Sequence, residues 1–193
     1  MNDDGARLST QVWNLPNALT MGRIALVPVF VVLLLGDSTA SRWWALVVFV
    51  VASITDQLDG HIARSRGLVT AFGTIADPIA DKALTLSAFL MLSVAGVIPW
   101  WVTVLIAIRE LGITALRSVL ARRSIIPASM GGKVKTVLQM LAIVILLVPW
   151  SSLSESLAWM TTVGLVVLYA ALVVTLATGI DYVVRGIRIA RSR

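Results

Sequence analysis

Four aspartates stand in one stretch of the chain, Asp56 and Asp59 three residues apart, Asp77 and Asp81 four apart. A short segment carrying Arg64 and Arg66 separates the pairs, and the sequence outside them is apolar. On a helix, spacings of three and four put each pair on one face. Carboxylates set in lipid-soluble sequence are expensive and are functional by default. The simplest account of four together is a metal site, in which hard divalent cations neutralise them. Segment 65–72 lets two helices turn back and oppose those faces. Gly60 and Ala63 continue the Asp56/Asp59 face, and Gly73 precedes Asp77 by one turn. Lacking bulk, these residues leave room for a ligand to approach the backbone. Arg64 sits at the same mouth and suits a phosphate. The bland alternative pairs the acids with Arg64, Arg66 and Lys82 at helix ends, and leaves the small residues unexplained.

The elements that must position these groups are membrane helices. The chain has 193 residues, 58% hydrophobic and only 13% charged, with a mean hydropathy of +0.92. A soluble domain is nearer half apolar and a quarter charged. We expect an all-α integral membrane protein with about six spans, each near the ~20 residues a bilayer helix needs. The spans are Asn17–Leu35, Arg42–Ala63, Gly73–Ala95, Trp100–Leu120, Lys133–Trp150 and Ser156–Val184. Breaks fall at Gly36-Asp37-Ser38, Arg66-Gly67, Gly96 with Pro99, Pro127 to Gly132, and Pro149 to Ser154. No internal repeat or long linker divides residues 1–193, so one membrane-embedded domain is expected, with segment 1–16 before it and a basic tail at 185–193. Met1 to Gly5 is acidic rather than basic, so no cleavable signal is expected. With no cysteine, disulfides and thiolate metal sites are excluded.

The cations set an orientation. If the N-terminus is cytoplasmic, that side holds Arg7, Arg64, Arg66, Arg122, Arg123, Lys133, Lys135, Arg185, Arg188, Arg191 and Arg193, against Arg42 alone outside. This asymmetry predicts a multi-pass protein of the cell (inner or plasma) membrane with both termini, and all four aspartates, on the cytoplasmic side. Trp43, Trp44, Trp100, Trp101 and Trp150 then form an aromatic belt at the outer boundary. The net charge of +6 sits beside hydrophobic spans, so anionic lipids or phosphorylated substrates are the expected partners and nucleic acid is not. The tail Arg185 to Arg193 suits lipid headgroups.

The run Asp56-x2-Asp59-Gly60-x2-Ala63-Arg64-x8-Gly73-x3-Asp77-x3-Asp81 resembles, at every position, the signature of the CDP-alcohol phosphotransferase family. The resemblance implies displacement of CMP from a CDP-linked lipid by the hydroxyl of an alcohol. It implies two divalent metals per active site, Mg²⁺ or Mn²⁺, held by Asp56, Asp59, Asp77 and Asp81, with Asp81 also the general base. By the same resemblance Gly60, Ala63, Arg64 and Gly73 line the CDP-lipid site, Thr70 contacts a phosphate, and the enzyme is a homodimer.

Three looser stretches, Asn14 to Arg23, Arg109 to Arg117 and Ile126 to Gln139, resemble the branch of the family that joins CDP-diacylglycerol to sn-glycerol 3-phosphate. That acceptor is a dianion and needs cations. Arg109, Arg117, Lys133 and Lys135 are the candidates. Arg109 lies deepest in its span, and its alternative is a pair with Glu110 or one of the aspartates. Lys133 and Lys135 could instead be topology markers. Asn17, Thr20 and Arg23 could hydrogen-bond the nucleotide or its phosphates, or Asn17 could simply cap a helix. His61 falls at an unconstrained position of the signature. Rival readings are the branches that accept phosphatidylglycerol, giving cardiolipin, or inositol phosphate. A cation transporter would need polar residues near the midplane and access from both faces, whereas the acids here cluster at one face.

Overall fold

The long apolar runs fold as helices because a backbone in lipid must satisfy its own hydrogen bonds. The computed structural model describes the backbone at residues 15–36, 38–65, 71–120 and 130–191, and side chains at 17–36, 38–56, 76, 79–116 and 131–188. The helices are α1 (Leu15–Leu35), α2 (Thr39–Ser65), α3 (Ala71–Val94), α4 (Trp100–Leu120), α5 (Met130–Leu147), the short α6 (Trp150–Leu153) and α7 (Met160–Arg191), with a 3₁₀ turn at Glu155–Leu157. No strand occurs among the described residues. Among the described residues, two stretches, Asn17–Leu35 and Glu155–Arg188, are long and apolar enough by length and composition to cross a membrane. The outer faces carry bare hydrophobes such as Val32, Val47, Leu90, Ile108, Val137 and Val173. A water-soluble surface does not present apolar area on this scale.

Residues 1–88 form one compact unit and residues 89–193 a second. In the first, α1 packs along α2. Phe30 and Phe49 meet there with ring centroids 6.0 Å apart, beside the fully buried Ala45 and Ala52. Ser38 caps α2, its hydroxyl accepting the Ser41 N–H at 3.0 Å. The Ser41 hydroxyl donates to the Gly36 carbonyl at 2.7 Å and closes the hairpin.

In the second unit α7 packs against α5 and α4. The end of α3 is a Schellman turn: Gly96 takes φ +70, the Val97 N–H bonds the Leu92 carbonyl and the Gly96 N–H that of Ser93. Pro99 follows and prevents the helix from continuing. The Ser93 and Thr103 hydroxyls, 2.7 Å apart, tie the end of α3 to α4. Pro149 likewise ends the α5 segment, and the Trp150 indole N–H satisfies the Ile145 carbonyl at 2.8 Å.

Several helix ends differ from the sequence expectation. The fifth helix stops at Leu147 rather than Trp150, because Pro149 cannot donate. The last begins at Met160 rather than Ser156 and runs past Val184 to Arg191. Ser156 lies in the 3₁₀ turn, and the first arginine of the tail is held in the helix by an ion pair to Asp181, one turn earlier, at 3.0 Å.

The α5–α7 contact is close at Gly164, where an added Cβ would lie 2.7 Å from Leu146 Cδ2 and 3.0 Å from Ile145 Cγ2. Leu146 is itself buried. Gly164→Ala is therefore expected to lower stability by about 1–3 kcal/mol through overpacking. Thermal unfolding in detergent reads this, and an unchanged midpoint would show that Leu146 yields freely.

Candidate active site

The first unit holds the polar face of α1 and the acid-bearing segments of α2 and α3. Asn17, Thr20 and Arg23 follow one another at helical spacing, and all three are buried. Their burial points inward a face that the sequence reading left open between capping and nucleotide binding. The Arg23 side chain, wholly inaccessible, forms an ion pair with Asp56 Oδ1 of α2, whose side chain keeps 35% of its exposure. A guanidinium at such depth needs a carboxylate partner.

Asp59, Gly60, Ala63 and Arg64 lie on the helical backbone of α2, and Gly73 and Asp77 on that of α3. Their side chains, and Thr70 altogether, lie outside the described residues. Asp81 is on α3 with its carboxylate 40% exposed, and Lys82 Nζ stands 3.1 Å from its Oδ2. The Thr85 hydroxyl donates to the Asp81 carbonyl rather than to its carboxylate. Among the described residues no three acidic or imidazole groups gather at one point, so the convergence of the four aspartates falls outside what is described. The donor set suits a hard cation: carboxylate oxygens only, with no thiolate in the chain.

The second unit holds a buried charged network that joins α4, α5 and α7. Glu110, only 3% exposed, is its centre. Its Oε1 accepts from Arg109 Nη1 at 3.0 Å and from the buried Lys135 Nζ. Arg109 also donates through Nε to the Thr175 carbonyl at 3.0 Å and through Nη2 to the Thr178 hydroxyl at 2.9 Å. Gly179 makes this crossing possible, since a Cβ there would meet Arg109 Cγ at 3.1 Å. Gln139, one turn beyond Lys135, donates to the Thr175 hydroxyl at 3.2 Å.

Of the proposed phosphate ligands, Arg109 and Lys135 thus share one carboxylate oxygen. Lys133 is exposed, and the Arg117 side chain lies outside the described residues. Sequence reasoning noticed Glu110 only as a partner for Arg109, and it missed Gln139, Thr175, Thr178 and Gly179. The signal was there: Lys135 and Gln139 are four apart, and Thr175, Thr178 and Gly179 mark one face of an otherwise apolar helix.

Fold and site together define an all-helical membrane protein with charged groups set into its helix faces. Residues 13–178 match the family described as CDP-alcohol phosphatidyltransferase, and the chain belongs to that family of enzymes. It is 46% identical over 181 residues to a Mycobacterium tuberculosis protein named "Probable phosphatidylglycerophosphate synthase", covering 92% of this chain and 84% of that one. It is 39% identical over 170 residues to a Rickettsia bellii protein named as a CDP-diacylglycerol–glycerol-3-phosphate 3-phosphatidyltransferase, covering 88% and 93%. A Bacillus subtilis protein of the same name is 38% identical over 149 residues, covering 70% and 77%.

Proposed function

We propose that this chain transfers the phosphatidyl group of CDP-diacylglycerol to the hydroxyl of sn-glycerol 3-phosphate, giving phosphatidylglycerophosphate and CMP. The observation that carries the reading is its 37–46% identity to proteins named for that reaction, along most of its length. In this reading Asp56, Asp59, Asp77 and Asp81 hold two divalent cations, Mg²⁺ or Mn²⁺. When bound, the cations neutralise charge on the pyrophosphate as its bond breaks.

The protein's own groups do the rest. Asp81 accepts the proton of the acceptor hydroxyl while that oxygen bonds to the phosphatidyl phosphorus. The phosphorus–oxygen bond to CMP breaks, and CMP leaves with the electron pair. The Asp81 carboxylate is 40% exposed and so can be reached by a soluble alcohol. Asn17, Thr20, Gly60, Ala63, Arg64, Thr70 and Gly73 shape the CDP-lipid site. Arg23 holds the Asp56 carboxylate in place. Arg109, Arg117, Lys133 and Lys135 supply the cations for the acceptor's phosphate. The chain is multi-pass, works as a homodimer and faces the cytoplasm with this site. The basic asymmetry of its sequence supports that orientation, and a cytoplasmic site lets a soluble acceptor meet a lipid anchored in the bilayer.

The test is CMP release by the purified protein in detergent with CDP-diacylglycerol and Mg²⁺. Glycerol 3-phosphate, inositol phosphate and phosphatidylglycerol are supplied one at a time. Release is expected with glycerol 3-phosphate alone, and not in the presence of excess chelator. Release with another acceptor only would move the chain to a different branch of the family.

A further inference from the structure

The structure assigns Glu110 as a positioning residue that sets Arg109 and Lys135 side by side as a paired cationic receptor for a dianionic phosphate. This rests on the proposed role of those two cations at the acceptor. Glu110 is buried and comes from α4, whereas Lys135 comes from α5. One oxygen, Oε1, accepts from both the Arg109 guanidinium and the Lys135 ammonium. Two cations that share one oxygen must stand within a few ångströms of each other. Without the carboxylate between them they would repel, and each would swing to another partner.

The rest of the network fixes this arrangement from behind. Arg109 is anchored to α7 by the Thr175 carbonyl and the Thr178 hydroxyl. Gly179 clears the space its stem crosses. Three of its five N–H groups are engaged with protein, which leaves two for a ligand. The Lys135 ammonium is held by the same carboxylate oxygen. Arg109 can therefore offer donors to a phosphate while the carboxylate holds the Lys135 charge beside it. Charge-assisted bonds from two adjacent cations discriminate a phosphomonoester from a neutral polyol. Thr178 belongs to this relay, since it holds the guanidinium that holds Glu110.

The experiment is steady-state kinetics of Lys135→Met, Glu110→Gln and Thr178→Val, with KM measured separately for sn-glycerol 3-phosphate and for CDP-diacylglycerol. Unfolding midpoints in detergent are recorded alongside. Glu110→Gln is expected to raise the acceptor KM by about tenfold, with kcat and the CDP-diacylglycerol KM changed less than about threefold. Thr178→Val is expected to move the acceptor KM in the same direction by a smaller factor. A purely structural role would lower the unfolding midpoint without separating the two KM values. An effect of Lys135→Met on the acceptor KM that Glu110→Gln does not share overturns the inference and leaves the acceptor reading standing. No selective effect of Lys135→Met overturns the assignment of Lys135, and the inference with it. Should Glu110→Gln fail to fold, Thr178→Val, which removes no charge, decides by the same comparison.

Discussion

Asp81→Asn gives a folded protein whose turnover is lowered by about 10²–10⁴-fold or more, the loss that accompanies removal of a general base. The amide has nearly the shape of the carboxylate but cannot accept the acceptor's proton, and it is a weaker ligand for a hard cation. The structural stake is small. Asp81 is 40% exposed, and its ion pair is with the adjacent, partly exposed Lys82. Pairs of this kind contribute about 0–1 kcal/mol. The hydrogen bond from Thr85 goes to the backbone and survives the substitution. CMP release and thermal unfolding, measured on the same preparation, check both halves of the expectation. Turnover at the wild-type rate would remove Asp81 as the base. A collapse in stability would mean that its carboxylate supports the fold.

The helices were legible because their cause is local. Apolar runs of membrane length, punctuated by Gly96 with Pro99 and by Pro149, locate the helical segments to within a few residues. The ends that moved, at Leu147, Met160 and Arg191, depend on single hydrogen bonds and one ion pair that periodicity does not encode. The aspartates were legible for another reason: their spacing has a function only on helices, and the signature that contains them fixes eight positions between Asp56 and Asp81. What the sequence concealed is which groups far apart in the chain meet. Arg23 lies 33 residues before Asp56, a separation visible only as a difference of residue numbers. Glu110 and Lys135 are drawn together by the packing of α4 and α5 with α7, and no spacing rule connects them. Even Thr178 reads as an ordinary polar residue of a long apolar helix until Arg109 is found against it.

That hidden meeting of Arg23 and Asp56 separates two aspartates that the signature treats alike. Asp56→Asn is expected to abolish turnover as Asp81→Asn does, but also to destabilise the protein. The Arg23 side chain is fully enclosed and its guanidinium pairs with the Asp56 carboxylate. Removing one partner of a buried pair leaves an uncompensated charge and costs about 3–5 kcal/mol. Asp56 is itself 35% exposed, so water can partly compensate, and a loss of about 2 kcal/mol is the expected scale. Replacing both residues removes the guanidinium along with the carboxylate it pairs with. Arg23→Met added to Asp56→Asn should therefore recover part of the lost stability, giving a coupling of about 1 kcal/mol or more in a double-mutant cycle. Turnover should not recover, because the lost carboxylate is also a proposed metal ligand. Unfolding midpoints of the two single variants and the double variant, set beside their CMP release, distinguish the two roles. If the two substitutions added without coupling, the Arg23–Asp56 pair would carry no net stability. The role of Asp56 would then reduce to chemistry, like that of Asp81.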